Sequence, residues 1–483
     1  MRFVPAIVFS TVYVITCLVG AVFLLLDLRP IVSLYEHFSG THAPRLDPDQ
    51  FRTVLILLVA TPVLFWVGSA AASRVGGRPF ARRLESRLSN LRLEHSPFVP
   101  VSAFVLSAGL AFVSLARSGG LSDLSAWLSY QAWIDARWHI FQQLSFFEFV
   151  NIYTLTPLTA AWVLLALQSR SLIIRILPTL VSVALALALY QKKAALVVLV
   201  IVFGAWLIDA ARERPRRAAQ GLAAAVAVGT VLYLVMVVVP TGNAAVEVAR
   251  SQQRDRPVLI TPAPSVATVA PNSVPSSAGP QRSALATPTL APPGDIEVTQ
   301  LDPVTAAILY SVVGTLMRTS EPALYYPVVY PGLHSFYPLD LGQDIVCSPR
   351  LGCRNQGMPD DNLVVWDYMN PQFHGGSVTA PFQFALYAQG GLVPAMAGAL
   401  VLGFLLGLAW RAAMILPRIW AGLSGALVII LAVNLALDSA RNSVVVTYGA
   451  MWGAIFLILC AVAVHTFSGQ PRRRDAIRRS LPA

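Results

Sequence analysis

The chain of 483 residues is 56% hydrophobic and only 12% charged, and its mean hydropathy is +0.63. Soluble domains average about 25% charged residues, so this composition excludes an ordinary soluble protein and predicts an all-α polytopic membrane protein. The formal net charge of +11 does not indicate a nucleic-acid partner, because excess Arg and Lys in membrane proteins usually mark cytoplasmic loops. The sequence contains no P-loop, no dinucleotide fingerprint and no His/Cys zinc pattern, so no cofactor is expected.

Ten apolar segments approach the length of about 20 residues that a helix needs to cross a bilayer. They are 4–26, 52–73, 98–116, 146–168, 172–190, 194–209, 221–240, 385–410, 419–437 and 444–465. The first segment has no small-residue cleavage site and is followed directly by Asp27, so it is expected to be a retained helix and not a signal peptide.

The arginines predict the orientation of these spans. With a cytoplasmic N-terminus, the inside segments hold 20 of the 35 basic residues, although the outside segments are far longer. This bias predicts that both termini are cytoplasmic. Residues 1–240 then form an N-terminal bundle of seven helices, 385–465 the C-terminal membrane helices and 466–483 a basic cytoplasmic tail.

The large segment 241–384 is expected on the outer side of the membrane, in the periplasm. Within it, 257–294 contains nine prolines and one charge, which predicts a disordered linker. Residues 300–384 are expected to be an ordered cap over the active site, beginning with a short helix at 302–317 that lies against the bundle and does not span it. Cys347 and Cys353 lie in this segment, where a disulfide is plausible.

Lys192 and Lys193 are the only two lysines, and they lie side by side in "LALALYQKKAALVVLVI". The preceding apolar run ends at Tyr190 and the next begins at Ala194, which predicts a tight outer hairpin. The run 194–208 would form a helix of about 22 Å, shorter than the hydrocarbon core of roughly 30 Å. The lysines are therefore expected below the outer surface, where they either snorkel to lipid phosphates or face a polar cavity as a site for an anionic substrate group.

Arg318 follows the predicted helix 302–317. A cation at a helix C-terminus is favourable on ordinary grounds, and Glu321 is a candidate ion-pair partner. The functional alternative is a second cation facing the same cavity as the lysines. His374 lies where the outer segment turns back towards the membrane, and imidazole is the usual proton-transfer group near neutral pH.

Aromatic side chains are concentrated in the ordered part of the outer segment. They are expected either to stack on sugar faces or to lie at the membrane interface. The candidates for contact with a glycan are Tyr325, Tyr326, Tyr337 and Trp366.

The basic hairpin followed by a long outer segment resembles the O-antigen polymerase and O-antigen ligase superfamily. The hairpin "QKKAALVVL" is similar to the basic hairpin of that family, with Lys193 the better match to the basic position. The segment "TAPFQFALYAQGGL" resembles the polymerase branch, in which a proline-containing start leads to a tyrosine and a glycine pair. Gly375 follows His374, where the ligase branch typically has Asn, and this favours the polymerase branch.

The resemblance implies a C-type glycosyltransferase-like fold and a metal-independent, inverting membrane glycosyltransferase. Such an enzyme would polymerise undecaprenyl-diphosphate-linked oligosaccharide repeat units into a bacterial surface polysaccharide such as O-antigen, on the periplasmic face of the inner membrane. The implied partners are the lipid-linked donor and acceptor, membrane lipid and a chain-length regulator protein. Lys192, Lys193 and Arg318 would neutralise the diphosphate, and His374 would take the proton of the acceptor hydroxyl or position that hydroxyl.

Three alternatives remain. An O-antigen ligase shares the same features. Another polyprenyl-phosphate-dependent C-type glycosyltransferase would place an acid in the first outer loop, where Asp27 lies, although Leu28 and not a second acid follows it. A transporter of lipid-linked glycans would use the lysines for binding alone, but internal repeats and polar breaks within spans, which are common in transporters, are not clear in the sequence.

Overall fold

The computed structural model describes residues 3–39, 41–75, 98–120, 172–188, 303–337, 361–371, 378–416 and 418–439, with a few separate residues at 136–151 and 455–462. Every regular element in these ranges is a helix, which confirms the all-α class. In chain order the helices are α1 (Val4–Leu25), α2 (Arg29–Ser39), α3 (Pro48–Val75), α4 (Phe98–Arg117), α5 (Leu172–Ala188), α6 (Pro303–Met317), α7 (Ser320–Val329), α8 (Asp361–Met369), α9 (Phe382–Ala388), α10 (Leu392–Ile415) and α11 (Arg418–Leu437).

Three of these helices, α1, α3 and α10, are long and apolar enough to cross a membrane. They coincide with the first, second and eighth predicted spans. Helices α4, α5 and α11 coincide with the predicted segments 98–116, 172–190 and 419–437. The other four predicted spans lie almost entirely outside the described residues, so the total of ten stays a prediction.

Helices α1 and α3 pack antiparallel through aromatic side chains. The rings of Phe9 and Phe65 stack with their centroids 4.0 Å apart, and the indole N–H of Trp66 donates to the hydroxyl of Ser10 at 2.9 Å. Further along α1, the hydroxyl of Tyr13 lies 3.5 Å from the carbonyl oxygen of Leu57. These contacts bury both rings of the stacked pair completely, so they form the centre of the described core.

Helices α3 and α10 run in the same direction at very close range. A Cβ atom added to Gly403 would lie 2.2 Å from the carbonyl oxygen of Phe65. Two turns later, the guanidinium of Arg411 donates to the carbonyl oxygens of Ala72 and Ser73 at 2.7 and 2.8 Å. Small residues allow two helix backbones to approach in this way inside a membrane. The predicted topology also gives these two spans a common direction, while the side of the membrane on which they begin stays a prediction.

The predicted helix at 302–317 is confirmed as α6, which packs against α1 and α2. The chain then breaks at Arg318 and Thr319, and α7 begins at Ser320. The hydroxyl of Thr319 donates a hydrogen bond to the carbonyl oxygen of Thr16, and the hydroxyl of Ser320 lies 2.8 Å from the carbonyl oxygen of Cys17. This break therefore lies against the middle of α1, where residues 14–18 form a π-helical turn.

A second break precedes α10. The predicted span 385–410 is wrong at its start, because residues 382–388 form the separate helix α9 and the span begins at Leu392. The turn between them contains Gly391 at φ +83°, a conformation that glycine adopts without the steric cost of a side chain. Helix α9 also begins deep in the bundle, because the ring of Phe382 lies 5.9 Å from that of Phe9.

These two breaks bring parts of the predicted outer segment close to the long helices. Residues 316–325 and 378–388 belong to the segment predicted as a cap or to its junction with the next span, yet they pack into the bundle beside α1. The predicted linker at 257–294 and the tail at 466–483 lie outside the described residues. The described part of the outer segment is therefore partly inserted between the long helices.

We expect Gly403→Ala to weaken the bundle, because the added Cβ would meet the backbone of Phe65 with no flexible side chain to move aside. Overpacking of this kind costs about 1–3 kcal/mol. Thermal unfolding in detergent should show a lower transition temperature. The matched control is Gly109→Ala in α4, where an added Cβ meets nothing within 4 Å; equal behaviour of the two variants would contradict the described packing.

Candidate functional site

The candidate site is centred on Glu321, the second residue of α7. Its side chain is only 2% exposed, although it carries a titratable carboxyl. Oxygen Oε2 accepts a hydrogen bond of 2.8 Å from the hydroxyl of Tyr35 on α2, and Thr41 also bonds to the carboxyl group. Oxygen Oε1 is buried and has no hydrogen-bond partner among the described residues. The carboxyl is therefore held on one side only.

Burial raises the pKa of Glu321 above its ordinary value, because removal from water disfavours the charged form. The hydrogen bonds from Thr41 and Tyr35 act in the opposite direction and lower the pKa. The negative charge of Glu36 raises it, and His42 lowers it by a smaller amount. The effect of burial dominates, so the neutral form of Glu321 is favoured relative to an exposed glutamate.

Residues 29–39 and 41–47, which we call the outer cover, close over Glu321 and comprise α2 and the segment after it. Besides the Tyr35 bond, the cover is attached by Tyr325 of α7, whose hydroxyl donates to the carbonyl oxygen of His42. Within the cover, the imidazole of His42 lies 3.4 Å from the carboxylate of Glu36. The ring of Tyr325 is edge-to-face with that of Tyr368 on α8 at 5.9 Å, and burial raises the pKa of Tyr325.

A row of tyrosines fixes the other end of α7. The hydroxyl of Tyr326 bonds to the side chains of Asp361 and Asn362 at 2.7 and 3.0 Å, which joins α7 to α8. The hydroxyl of Tyr387 on α9 donates to the carbonyl oxygen of Tyr330 at 3.1 Å. Helices α7, α8 and α9 thus hold one another in place, and the position of Glu321 follows from this arrangement.

Arg318 lies at the break between α6 and α7, and its side chain is exposed. The ion pair that the sequence predicted between Arg318 and Glu321 is not formed, because the carboxyl group is turned towards Tyr35 and Thr41. None of the ion pairs among the described residues includes Arg318. An exposed guanidinium therefore lies beside Thr319, whose hydroxyl contacts the middle of α1.

The other predicted site residues fall into two groups. Tyr325 and Tyr326 are 8% and 0% exposed, so the ring of Tyr326 offers no face for a sugar. Tyr337 and Trp366 are partly exposed and stay candidates for contact with a glycan. The remaining residues lie outside the described ranges: Lys192, Lys193, His374, Cys347 and Cys353.

Asp27, the acid considered for another class of glycosyltransferase, occupies an exposed turn. It adopts φ +50° and forms an ion pair of 2.9 Å with Arg29, with both side chains more than half exposed. In the described part of the chain, no group of three or more His, Cys, Asp or Glu side chains has the arrangement of a metal site.

Glu321 is absent from the site residues predicted from the sequence, because its position three residues after Arg318 suggests an ion pair with that arginine. The run "RTSEP" is nevertheless a signal, since a cation, two hydroxyl residues and an acid lie together between apolar helices. An ionisable residue in such a place within a membrane protein is a functional candidate in its own right.

Comparison of the chain with family models, with curated proteins and with solved structures finds no match.

We expect the raised pKa of Glu321 to appear in the pH dependence of stability. A carboxyl whose pKa is higher in the folded protein stabilises the fold fully below its unfolded pKa of about 4.3. This contribution is lost as the pH rises through the folded pKa. Thermal unfolding in detergent should therefore show a declining transition temperature above pH 4.3, and Glu321→Gln should remove that part of the decline.

The control for this measurement is Asp49→Asn, because the side chain of Asp49 is 92% exposed. It should leave the slope unchanged. A slope that is identical in the Glu321→Gln variant and in the unsubstituted protein would show that Glu321 titrates as an exposed glutamate does.

Proposed function

We propose that this protein is a membrane glycosyltransferase that polymerises undecaprenyl-diphosphate-linked oligosaccharide repeat units on the periplasmic face of a bacterial inner membrane. The observation that carries the proposal is the position of Arg318. This cation is exposed at the break of a segment inserted into the bundle, next to residues that bond to the middle of α1.

The substrate chemistry fits such a cation. A polyprenyl diphosphate keeps its lipid tail in the bilayer, so its diphosphate and first sugar lie at or below the membrane surface. A charged side chain at this depth is costly unless it faces a polar cavity or a partner of opposite charge. Arg318 forms no ion pair among the described residues, and a bound diphosphate would supply the missing anion through paired hydrogen bonds to the guanidinium.

The proposed reaction is a direct displacement at the anomeric carbon of the donor. A hydroxyl group of the acceptor sugar forms the new glycosidic bond while the bond to the diphosphate breaks, which inverts the anomeric carbon. Negative charge develops on the leaving diphosphate, and fixed cations placed there lower the barrier. The proposal assigns this role to Arg318 together with Lys192 and Lys193, and it assigns to His374 the positioning of the acceptor hydroxyl. A ligase that transfers one completed chain is the nearest alternative.

One observation favours a second candidate, a transporter of lipid-linked glycans. Interrupted helices are typical of transporters, and the described part of the chain contains two breaks between helices, at 318–319 and at 389–391. A transporter would move the lipid-linked glycan without breaking a bond, so the chemistry of the product separates the two functions.

The decisive experiment uses the purified protein in nanodiscs with an undecaprenyl-diphosphate-linked oligosaccharide. We expect glycans of several repeat units and released undecaprenyl diphosphate. Arg318→Ala should lower the rate by about 10²–10³-fold, the usual effect of removing a group that stabilises developing charge. Arg318→Lys should keep part of the activity, because the charge remains while the paired geometry is lost.

The control is Arg52→Ala at the start of α3, where the arginine is 74% exposed and paired with Asp49. Its rate should stay normal. Glycans that remain one repeat long with the unsubstituted protein would contradict the polymerase proposal. Transfer to a separate acceptor would then indicate a ligase, and movement of the intact lipid across a liposome membrane would indicate a transporter.

We also expect the two lysines to be required. Lys193→Ala should abolish chain extension while the protein still inserts, and Lys193→Arg should keep part of the activity. The double substitution of Lys192 and Lys193 by alanine is the stricter test. Polymer of normal length made at a normal rate by this double variant would show that the lysines anchor the protein to lipid and that the diphosphate site lies elsewhere.

A further inference from the structure

Glu321 has a buried oxygen that the described residues leave unsatisfied. Its Oε1 atom is removed from solvent and has no hydrogen-bond partner in the described part of the chain, while Oε2 is bonded to the hydroxyl of Tyr35 at 2.8 Å. A buried polar atom without a partner costs about 1–3 kcal/mol. A carboxylate oxygen is satisfied by a hydroxyl or N–H donor, so this atom is suited to a ligand that presents such a donor.

A structural role alone does not account for the residue. An acid in the first turn of α7 interacts favourably with the helix dipole, but an exposed side chain achieves this without the cost of burial. The hydroxyl groups of Tyr35 and Thr41 could bond equally well to a glutamine oxygen, which does not titrate. The chemical property that distinguishes glutamate here is its ability to take up and release a proton, and burial raises the pKa of this carboxyl.

The location of Glu321 connects this property to the proposed reaction. It lies three residues after Arg318, at the same break between α6 and α7. The break brings a cation suited to the leaving diphosphate and a carboxyl suited to a hydroxyl donor into one short segment. The two side chains do not pair with each other, so each remains available for a different group of the substrates.

We infer that Glu321 is the proton acceptor for the hydroxyl of the acceptor sugar, a role that rests on the proposed glycosyl transfer. The hydroxyl oxygen bonds to the anomeric carbon of the donor as the carbon–oxygen bond to the diphosphate breaks. The electron pair of that bond leaves with the diphosphate, and the hydroxyl proton passes to Glu321 Oε1. Water removes the proton once the product has left. The inference requires the outer cover to move away from α7, so that the acceptor reaches Oε1.

The groups that face Glu321 make the inference testable by pH. Burial raises the pKa of Glu321, and from the cover Thr41, Tyr35 and His42 lower it while Glu36 raises it. The phenol that interacts with Glu321 is Tyr325 on α7, whose ring contacts Tyr368 on α8. The acidic limb of the kcat/KM profile reports the pKa of the base in the free enzyme, in which the cover is in place. Tyr35→Phe should move this limb to higher pH, and Glu36→Gln should move it to lower pH. A purely structural Glu321 would produce neither shift.

The experiment measures transfer between pH 5 and 9 with the purified protein in nanodiscs and an undecaprenyl-diphosphate-linked oligosaccharide. Glu321→Gln should lower kcat by about 10²–10⁴-fold, the usual contribution of a positioned acid or base, with little change in KM and without the acidic limb. Glu321→Asp should keep part of the rate. Thermal unfolding of each variant shows whether it is folded, and if Glu321→Gln does not fold, the opposed shifts of the Tyr35 and Glu36 variants decide the question.

The outcomes separate this inference from the proposed function. Suppose that the unsubstituted protein makes polymer and that the folded Glu321→Gln variant makes it at the same rate with the same acidic limb. Glu321 is then not the proton acceptor, and the glycosyltransferase proposal stands. An acidic limb that does not move in either the Tyr35 or the Glu36 variant also overturns the inference. If the unsubstituted protein transfers no sugar under any condition, both the function and the role of Glu321 fall together.

Discussion

The packing of the chain break at Arg318 and Thr319 against α1 determines the arrangement of the described site. The hydroxyl groups of Thr319 and Ser320 bond to carbonyl oxygens in the π-helical turn of α1, and Gly20 leaves room for them. An added Cβ at Gly20 would lie 2.2 Å from the carbonyl oxygen of Leu316. Such π-helical turns are rare and often occur at functional sites. This contact fixes the position of Arg318 and Glu321 along α1.

The tyrosines of α7 extend this constraint outward. Tyr325 bonds to the outer cover, Tyr326 to α8, and the backbone of Tyr330 accepts from Tyr387 on α9. A tyrosine can fill apolar space with its ring and end in a hydrogen bond, so each residue ties α7 to a different neighbour. The inserted helix is consequently held along its whole length, and the charged residues at its start keep a fixed position relative to the bundle.

Apolar periodicity and length predicted the long helices well, because a membrane requires both. Helices α3, α6 and α11 begin or end within a few residues of the predicted limits. The break before α10 could not be predicted in this way, since "PFQFALYAQGGLVPAMAGAL" reads as one continuous apolar run apart from its glycine pair. The hydrogen-bond partner of Glu321 could not be predicted from the sequence either, because Tyr35 is 286 positions away in the chain and only the folded structure brings the two together.

The parallel contact between α3 and α10 has a consequence for how the protein is made. The surfaces that meet at Phe65 with Gly403 and at Ser73 with Arg411 are separated by more than 300 residues of chain. Ribosomes synthesise roughly 5–20 residues per second. Arg411, which donates to the carbonyl groups at the end of α3, is therefore synthesised tens of seconds after them. During that interval the small-residue face of α3 is open to lipid or to the insertion machinery. The contact between α3 and α10 therefore forms only after the C-terminal helices have been synthesised.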